Sequence, residues 1–193
     1  MFKLQQEREI WRNNMGKNRT IWIAQTGIFL ALLIIGQAIT RMFGNQFVAG
    51  SVNNMLFILA VILCGLSSAA VLAVISPIIA TLLGIGPQLW PLIPAIIIGN
   101  LVLIILWRLI ALKRPERSKA FDVLALFLAA AAKFLVLYLA IVKLVVPVIL
   151  GLGEPQASAV SALFSWPQLV TASIGWLLAL LVSPALLKAI PRR

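Results

Sequence analysis

Apolar runs close to 20 residues long recur along this chain, and they decide most of what it can fold into. Ile21–Phe43, Pro91–Leu112, Phe121–Leu150 and Leu163–Ala189 are each long enough as helices to cross a hydrocarbon core of about 30 Å. Hydrophobic residues make up 62% of the 193, more apolar surface than a soluble domain of this size can bury. An integral membrane protein follows. The first run comes after a polar lead and is longer than a signal-peptide core, so it reads as a span and not as a cleaved leader.

The region Phe47–Leu83 is the one ambiguous stretch. As a single helix it would run about 55 Å, too long for a simple crossing. Its middle, "CGLSSAA", is small and turn-capable, which divides it into Phe47–Cys64 and Ser68–Leu83. Charge supports the division. Lys3, Arg8, Arg12, Lys17 and Arg19 precede the first run. Arg108, Lys113, Arg114, Arg117 and Lys119 surround an internal break, and Lys188, Arg192 and Arg193 close the chain. With two spans in the ambiguous region, all three clusters share one side, as the positive-inside rule requires. The expected fold is therefore an all-α bundle of six transmembrane helices with both ends cytoplasmic. Residues 1–19 form a basic N-terminal segment, either amphipathic on the membrane surface or a solvated tail, and residues 20–190 a single membrane domain. The outer connections are then Gly44–Ala49, Gly84–Trp90 and Gly151–Ala162.

A net charge of +11 raises the possibility of nucleic acid, but clusters placed beside apolar runs are an orientation signal and not a binding groove. There is no histidine, which removes the usual catalytic base and the usual zinc ligand. The acidic residues Glu7, Glu9, Glu116, Asp122 and Glu154 all avoid mid-membrane positions, so no carboxylate proton relay or sodium site can be drawn. No Walker A motif is present, and Cys64 is alone. An enzyme is not expected, and neither a metal nor a cofactor is implied.

What polar equipment remains gathers in the outer half of the expected bundle. Gln37, Thr40 and Arg41 end helix 1; Asn45 and Gln46 follow; Asn53 and Asn54 lie early in helix 2. Asn100 lies on helix 4, Lys133, Tyr138 and Lys143 on helix 5, and Ser165, Trp166, Gln168 and Thr171 at the start of helix 6. Polar groups in lipid-embedded helices face the protein interior, either as a cavity lining or as interhelical hydrogen bonds. Trp90 and Trp166 also suit interfacial anchoring. Lys133 is the sharpest feature. It stands about 18 Å along helix 5 from Phe121, with no obvious carboxylate partner at that depth. Tyr138, Asn100 or backbone carbonyls are the candidates to share its protons, and a bound anion would supply the missing charge. Lys143 is nearer the surface and can snorkel. On helix 1, Ala24, Gly27 and Ala31 form a small-residue patch that permits close helix approach, within the chain or by another subunit.

The stretches "GSVNNMLFILAVILCG", "SPIIATLLGIGPQLWPLIPAIIIGN", "AAAKFLVLYLA" and "FSWPQLVTASIG", together with the length and the helix count, resemble the substrate-binding S components of energy-coupling factor (ECF) vitamin transporters, in the group that includes pantothenate- and folate-type members. The resemblance spans residues 20–190. It implies a multi-pass protein of a bacterial cell membrane that binds a small vitamin or precursor from outside. It also implies docking, by the helix 1 side, onto a transmembrane coupling protein driven by two cytosolic ATPases. Where the family carries an Ala-x-x-x-Ala signature on helix 1, this chain reads Gly27-x-x-x-Ala31, a departure that keeps the small size. Substrate contacts are then expected from Lys133, Tyr138, Asn100, Gln168, Trp166, Asn53, Asn54, Gln46, Arg41 and Lys143, with pantothenate, which carries one carboxylate, the first ligand to consider. The alternatives are a stand-alone permease or channel for small solutes, and a non-transporting membrane scaffold.

Overall fold

The computed structural model describes the backbone of residues 2–111 and 119–189, and the side chains of residues 19–110, 123, 124 and 126–188. Most of the basic loop around Lys113 to Arg117, and the side chains of the N-terminal segment, lie outside those residues.

Among the described residues every element is helical: α1 (Phe2–Met42), α2 (Gln46–Cys64), α3 (Leu66–Leu82), a 3-10 turn at Trp90–Leu92, α4 (Ile93–Ala111), α5 (Lys119–Leu137) continuing as a π-helical stretch Tyr138–Leu150, α6 (Gln156–Leu163) and α7 (Pro167–Ala189). Among the described residues, five stretches are long and apolar enough to span a membrane: Arg19–Met42, Gln46–Cys64, Trp90–Ile110, Leu126–Leu150 and Gln156–Lys188. The apolar α3 has 17 residues, about 25 Å of helix. Large apolar side chains such as Ile28, Ile35, Ile98, Phe127, Leu139 and Leu181 are exposed on the outside of the bundle. Buried polar side chains include Thr26, Asn54, Ser76, Asn100, Lys133 and Thr171. That distribution, with apolar groups outward and polar groups inward, is what a lipid solvent selects.

The break inside the long apolar region falls at Gly65, whose φ of 90° is open to glycine and strained for any residue with a Cβ. The small, flexible character of "CGLSSAA" thus marks the turn between α2 and α3. Asn45 caps α2, its Oδ1 accepting from the backbone N–H of Phe47 at 2.9 Å and of Val48 at 3.4 Å. Two expectations are corrected. The outer connection Gly151–Ala162 contains α6, and the final long helix begins at Pro167, beside Ser165 and Trp166, and not at the Leu163 bound. Phe121–Leu150 is not one uniform α-helix; its last 13 residues widen into a π-helix containing Pro147. The helix α1 runs unbroken from Phe2 to Met42.

The helix α2 is the hub, packing on α1, α3, α4 and α7. Its contact with α7 is made close by two glycines. A Cβ on Gly50 would stand 2.8 Å from Thr171 Cγ2, and one on Gly175 would stand 2.6 Å from the Ser51 carbonyl oxygen. Two apolar clusters result. The larger joins Leu33, Phe57, Ile58, Leu72, Leu103, Trp107, Ala129 and Trp176 across six helices. The smaller joins Leu92, Leu137, Ile141, Val145 and Phe164 at the end that carries α6.

Candidate functional site

A cavity of about 550 Å³ lies where these clusters meet, with Phe57 from the first and Leu92, Leu137 and Phe164 from the second in its wall. Its volume falls in the range of small-molecule sites. The polar lining comes from the end of α1 (Gln37, Thr40, Arg41), the start of α2 (Gln46, Asn53, Asn54), Ser76 on α3, Gln88, Asn100 on α4, Lys133 on α5 and Gln168 on α7.

Lys133 is 5% exposed, and its ammonium donates to Asn54 Oδ1 at 2.7 Å and to Asn100 Oδ1 at 2.9 Å. An ammonium group has donors only, so both carboxamides are fixed with oxygen toward the lysine and nitrogen away from it. Asn54 then turns its Nδ2 toward Thr171 Oγ1 at 3.4 Å, across the tight α2–α7 contact. The position of Asn54 therefore depends on Gly50 and Gly175, which let α7 come close. Both partners of Lys133 are neutral. Glu154, the one acidic residue whose side chain is described, is exposed in the connection before α6.

At the rim, the Leu163 carbonyl at the end of α6 accepts two side-chain amides, Gln46 Nε2 at 3.0 Å and Gln168 Nε2 at 2.9 Å. These bonds tie α6 to the starts of α2 and α7. Opposite, Gly86 O accepts from Gln88 Nε2 at 2.9 Å and, at the limit of hydrogen bonding, from Arg41 Nη1 at 3.5 Å. Arg41 is exposed, which leaves its guanidinium free to meet solutes entering the cavity.

Of the residues singled out from the sequence, Arg41, Gln46, Asn53, Asn54, Asn100, Lys133 and Gln168 share this cavity. Tyr138, Lys143 and Trp166 are not in its lining. Lys133 finds its partners in Asn54 and Asn100, not in Tyr138. The Tyr138 ring is packed beside Phe134, with a centroid separation of 5.7 Å, and carries Lys143 Nζ at 5.5 Å from its centroid. Trp166 is 60% exposed and leans on Phe47 with centroids 5.6 Å apart, as a belt residue does. The small patch Ala24, Gly27 and Ala31 is exposed, and space for a Cβ at Gly27 is open to 4 Å. No helix among the described residues covers it. Sequence reasoning passed over Ser76 and the α6 residues Val160 and Leu163 as lining groups. The serine sits one residue before Pro77 within α3, a position whose facing depends on which helices become neighbours. No family model, curated protein or solved structure matches the chain.

Proposed function

We propose that this chain is the substrate-binding S component of an ECF-type transporter, a six-helix membrane protein with both ends inside, which captures a small anionic vitamin or precursor from the outer side. In this reading it passes the solute inward through a transmembrane coupling protein driven by two cytosolic ATPases. The observation that carries the proposal is Lys133, a buried lysine in the wall of a polar-lined cavity with two neutral carboxamides as its partners. A buried charge left without a counter-charge is costly in a membrane interior. A carboxylate in the cavity removes that cost and gains a charge-assisted hydrogen bond. Arg41 at the rim adds attraction of the same sign. The outer end of the bundle, in this orientation, is the end holding α6, the Gly84–Trp90 connection and the start of α2. The exposed patch of Ala24, Gly27 and Ala31 is then the face for the coupling protein.

The test is equilibrium binding to the purified protein in detergent or nanodiscs, beginning with pantothenate and with any vitamin that copurifies in native mass spectrometry. Lys133→Met is expected to lose at least tenfold in affinity for a carboxylate ligand, whereas Lys143→Met, altering a side chain away from the cavity, stays within about twofold. Equal affinity in both variants and the native protein would refute the assignment. So would tight binding of a neutral or cationic vitamin that both variants retain.

A further inference from the structure

The cavity is layered along the helix axes. Its deep end is polar, with Asn53 and Asn54 on α2, Ser76 on α3, Asn100 on α4 and Lys133 on α5. Its rim is polar again, with Arg41, Gln46, Gln88 and Gln168. The turns between are apolar. On α2, the lining residues between Gln46 and Asn53 are Ala49 and Gly50. On α4, Ile96 stands one turn above Asn100 toward the rim, and Leu92 two turns above it. On α5, Leu137 stands one turn above Lys133, and on α3 Ala80 stands one turn above Ser76. Gln37, a turn below Arg41 on α1, is the polar exception at this level. Ile85, Leu89 and Val160 add further apolar lining. Like Ile96, they are only half-buried, so the belt offers surface that a solute can cover.

A helix rises about 5.4 Å per turn, so one to two turns make a belt roughly 5–11 Å thick. An extended chain covers about 3.5 Å in three bonds. A solute anchored at Lys133 therefore runs about four to nine bonds along apolar walls before it reaches the polar rim. On the reading that the cavity holds an anion at Lys133, we infer that the solute is an amphiphilic carboxylate: the segment beside its acid is hydrocarbon, and any hydroxyl or amide stands at the far end, level with the rim glutamines. A hydroxyl or amide inside the belt gives up its water and meets few partners, which is costly. A methylene there gains by leaving water. The belt thus selects for the chemistry of the chain, and Lys133 for the charge.

The inference is tested with straight-chain monocarboxylates from butanoate to dodecanoate, each of the longer ones set against its analogue hydroxylated at the fifth carbon. Binding to the full-length protein in nanodiscs is measured by calorimetry, with protein-free nanodiscs subtracted, for the native chain, Ile96→Asn and Lys133→Met. Native affinity is expected to rise about threefold to fourfold per methylene and to level off once the chain reaches the rim, at about nine bonds. Partition into lipid would not level off. The hydroxyl should weaken binding at least tenfold. Ile96→Asn should cut that penalty to less than about threefold, and Lys133→Met should weaken both series alike. Pantothenate, whose amide falls inside the belt, should bind less tightly than octanoate. Plain and hydroxylated acids that bind equally, or a gain that never levels off, overturn the belt's role while the anion site stands, provided Lys133→Met still weakens both series. If no acid binds, or if Lys133→Met binds as well as the native chain, the anion reading fails and the inference falls with it. Because the hydroxyl penalty is read on the native protein, a poorly folding Ile96→Asn does not remove the test.

Discussion

Replacing Asn54 by leucine removes one of the two acceptors on Lys133, and the structure sets how large the effect must be. Both groups are almost wholly buried, Lys133 at 5% and Asn54 at 1% exposure, and the contact is 2.7 Å. Hydrogen bonds to charged groups contribute roughly 1.5–3 kcal/mol. Polar contacts between helices in lipid average only about 0.6 kcal/mol and reach about 1.7. The charge on Lys133 argues for the upper end of the membrane range. Its place in the wall of a cavity argues against exceeding it, because water can replace part of the lost contact. The weaker bond to Thr171, at 3.4 Å, is lost as well. A destabilisation of about 2 kcal/mol is expected for Asn54→Leu, of which about 1.5 kcal/mol is coupling to Lys133.

The coupling is isolated by a double-mutant cycle of Asn54→Leu with Lys133→Met, read from reversible unfolding in mixed micelles followed by helicity. In the Lys133→Met background, Asn54→Leu should cost only about 0.5 kcal/mol. The control cycle pairs Asn54→Leu with Lys143→Met, whose side chain is exposed beside Tyr138, and should be additive. Additivity of Asn54→Leu with Lys133→Met to within about 0.5 kcal/mol would refute the claim that the carboxamide holds the charge.

Four further outcomes follow from the same structure. Asn54→Asp places a carboxylate beside Lys133 and should stabilise the ligand-free protein in thermal unfolding while lowering its affinity for carboxylate ligands more than tenfold, since the counter-charge is then internal; undiminished anion binding would contradict this. Gly175→Val, whose Cβ would fall 2.6 Å from Ser51 O, should lose about 1–3 kcal/mol of stability, whereas Gly27→Val, with open space to 4 Å, should leave the isolated protein's melting temperature unchanged. A cysteine at Glu154 should react with an impermeant reagent from outside and one at Glu116 only from inside, and the reverse pattern would overturn the orientation. Ala31→Trp should block assembly with the coupling protein while ligand binding persists; normal transport by that variant would place the docking face elsewhere.

The helices themselves were legible in the sequence because bilayer thickness is a ruler. The same ruler demanded a break in Phe47–Leu83, and glycine at position 65 supplied it. The gathering of Arg41, Asn53, Asn54, Asn100 and Lys133 in one cavity was legible as a polar set at one end of the bundle, since lipid leaves such groups little choice but to face inward. The pairing within that set was not. Asn54 meets Lys133 from a helix 79 positions away in the chain, and the approach of α2 to α7 that fixes its angle rests on Gly50 and Gly175. Those glycines look like any other small residue until the neighbour of each helix is known. The helix α6 was hidden for a different reason. Its sequence "QASAVSAL" follows Gly151, Gly153 and Pro155, is only eight residues long and rich in alanine and serine, and buries no side chain fully, so its apolar face of Ala157 and Val160 is a weak signal.

Tyr138 and Lys143 pair with each other and not with the cavity. Five residues apart, they lie on different faces of an α-helix, where each turn takes 3.6 residues. In the π-helical stretch the backbone bonds run from i to i+5, and residues at that spacing come nearly one above the other. The lysine then lies over the tyrosine ring, and the pair faces away from the cavity as one unit. Helix α1 makes the complementary point. Its small residues Ala24, Gly27 and Ala31 advertise a packing face, yet the side buried in this chain carries Thr26, Leu33 and Thr40, seven apart and thus two turns from one another. Thr26 meets Ser68 at 2.8 Å, and Thr40 bonds back to Gly36 O at 2.7 Å. In water, the apolar stripe of a helix marks its inner face. In lipid both faces are apolar, so the hydroxyls mark the inside, and a smooth patch left exposed is free for a second polypeptide.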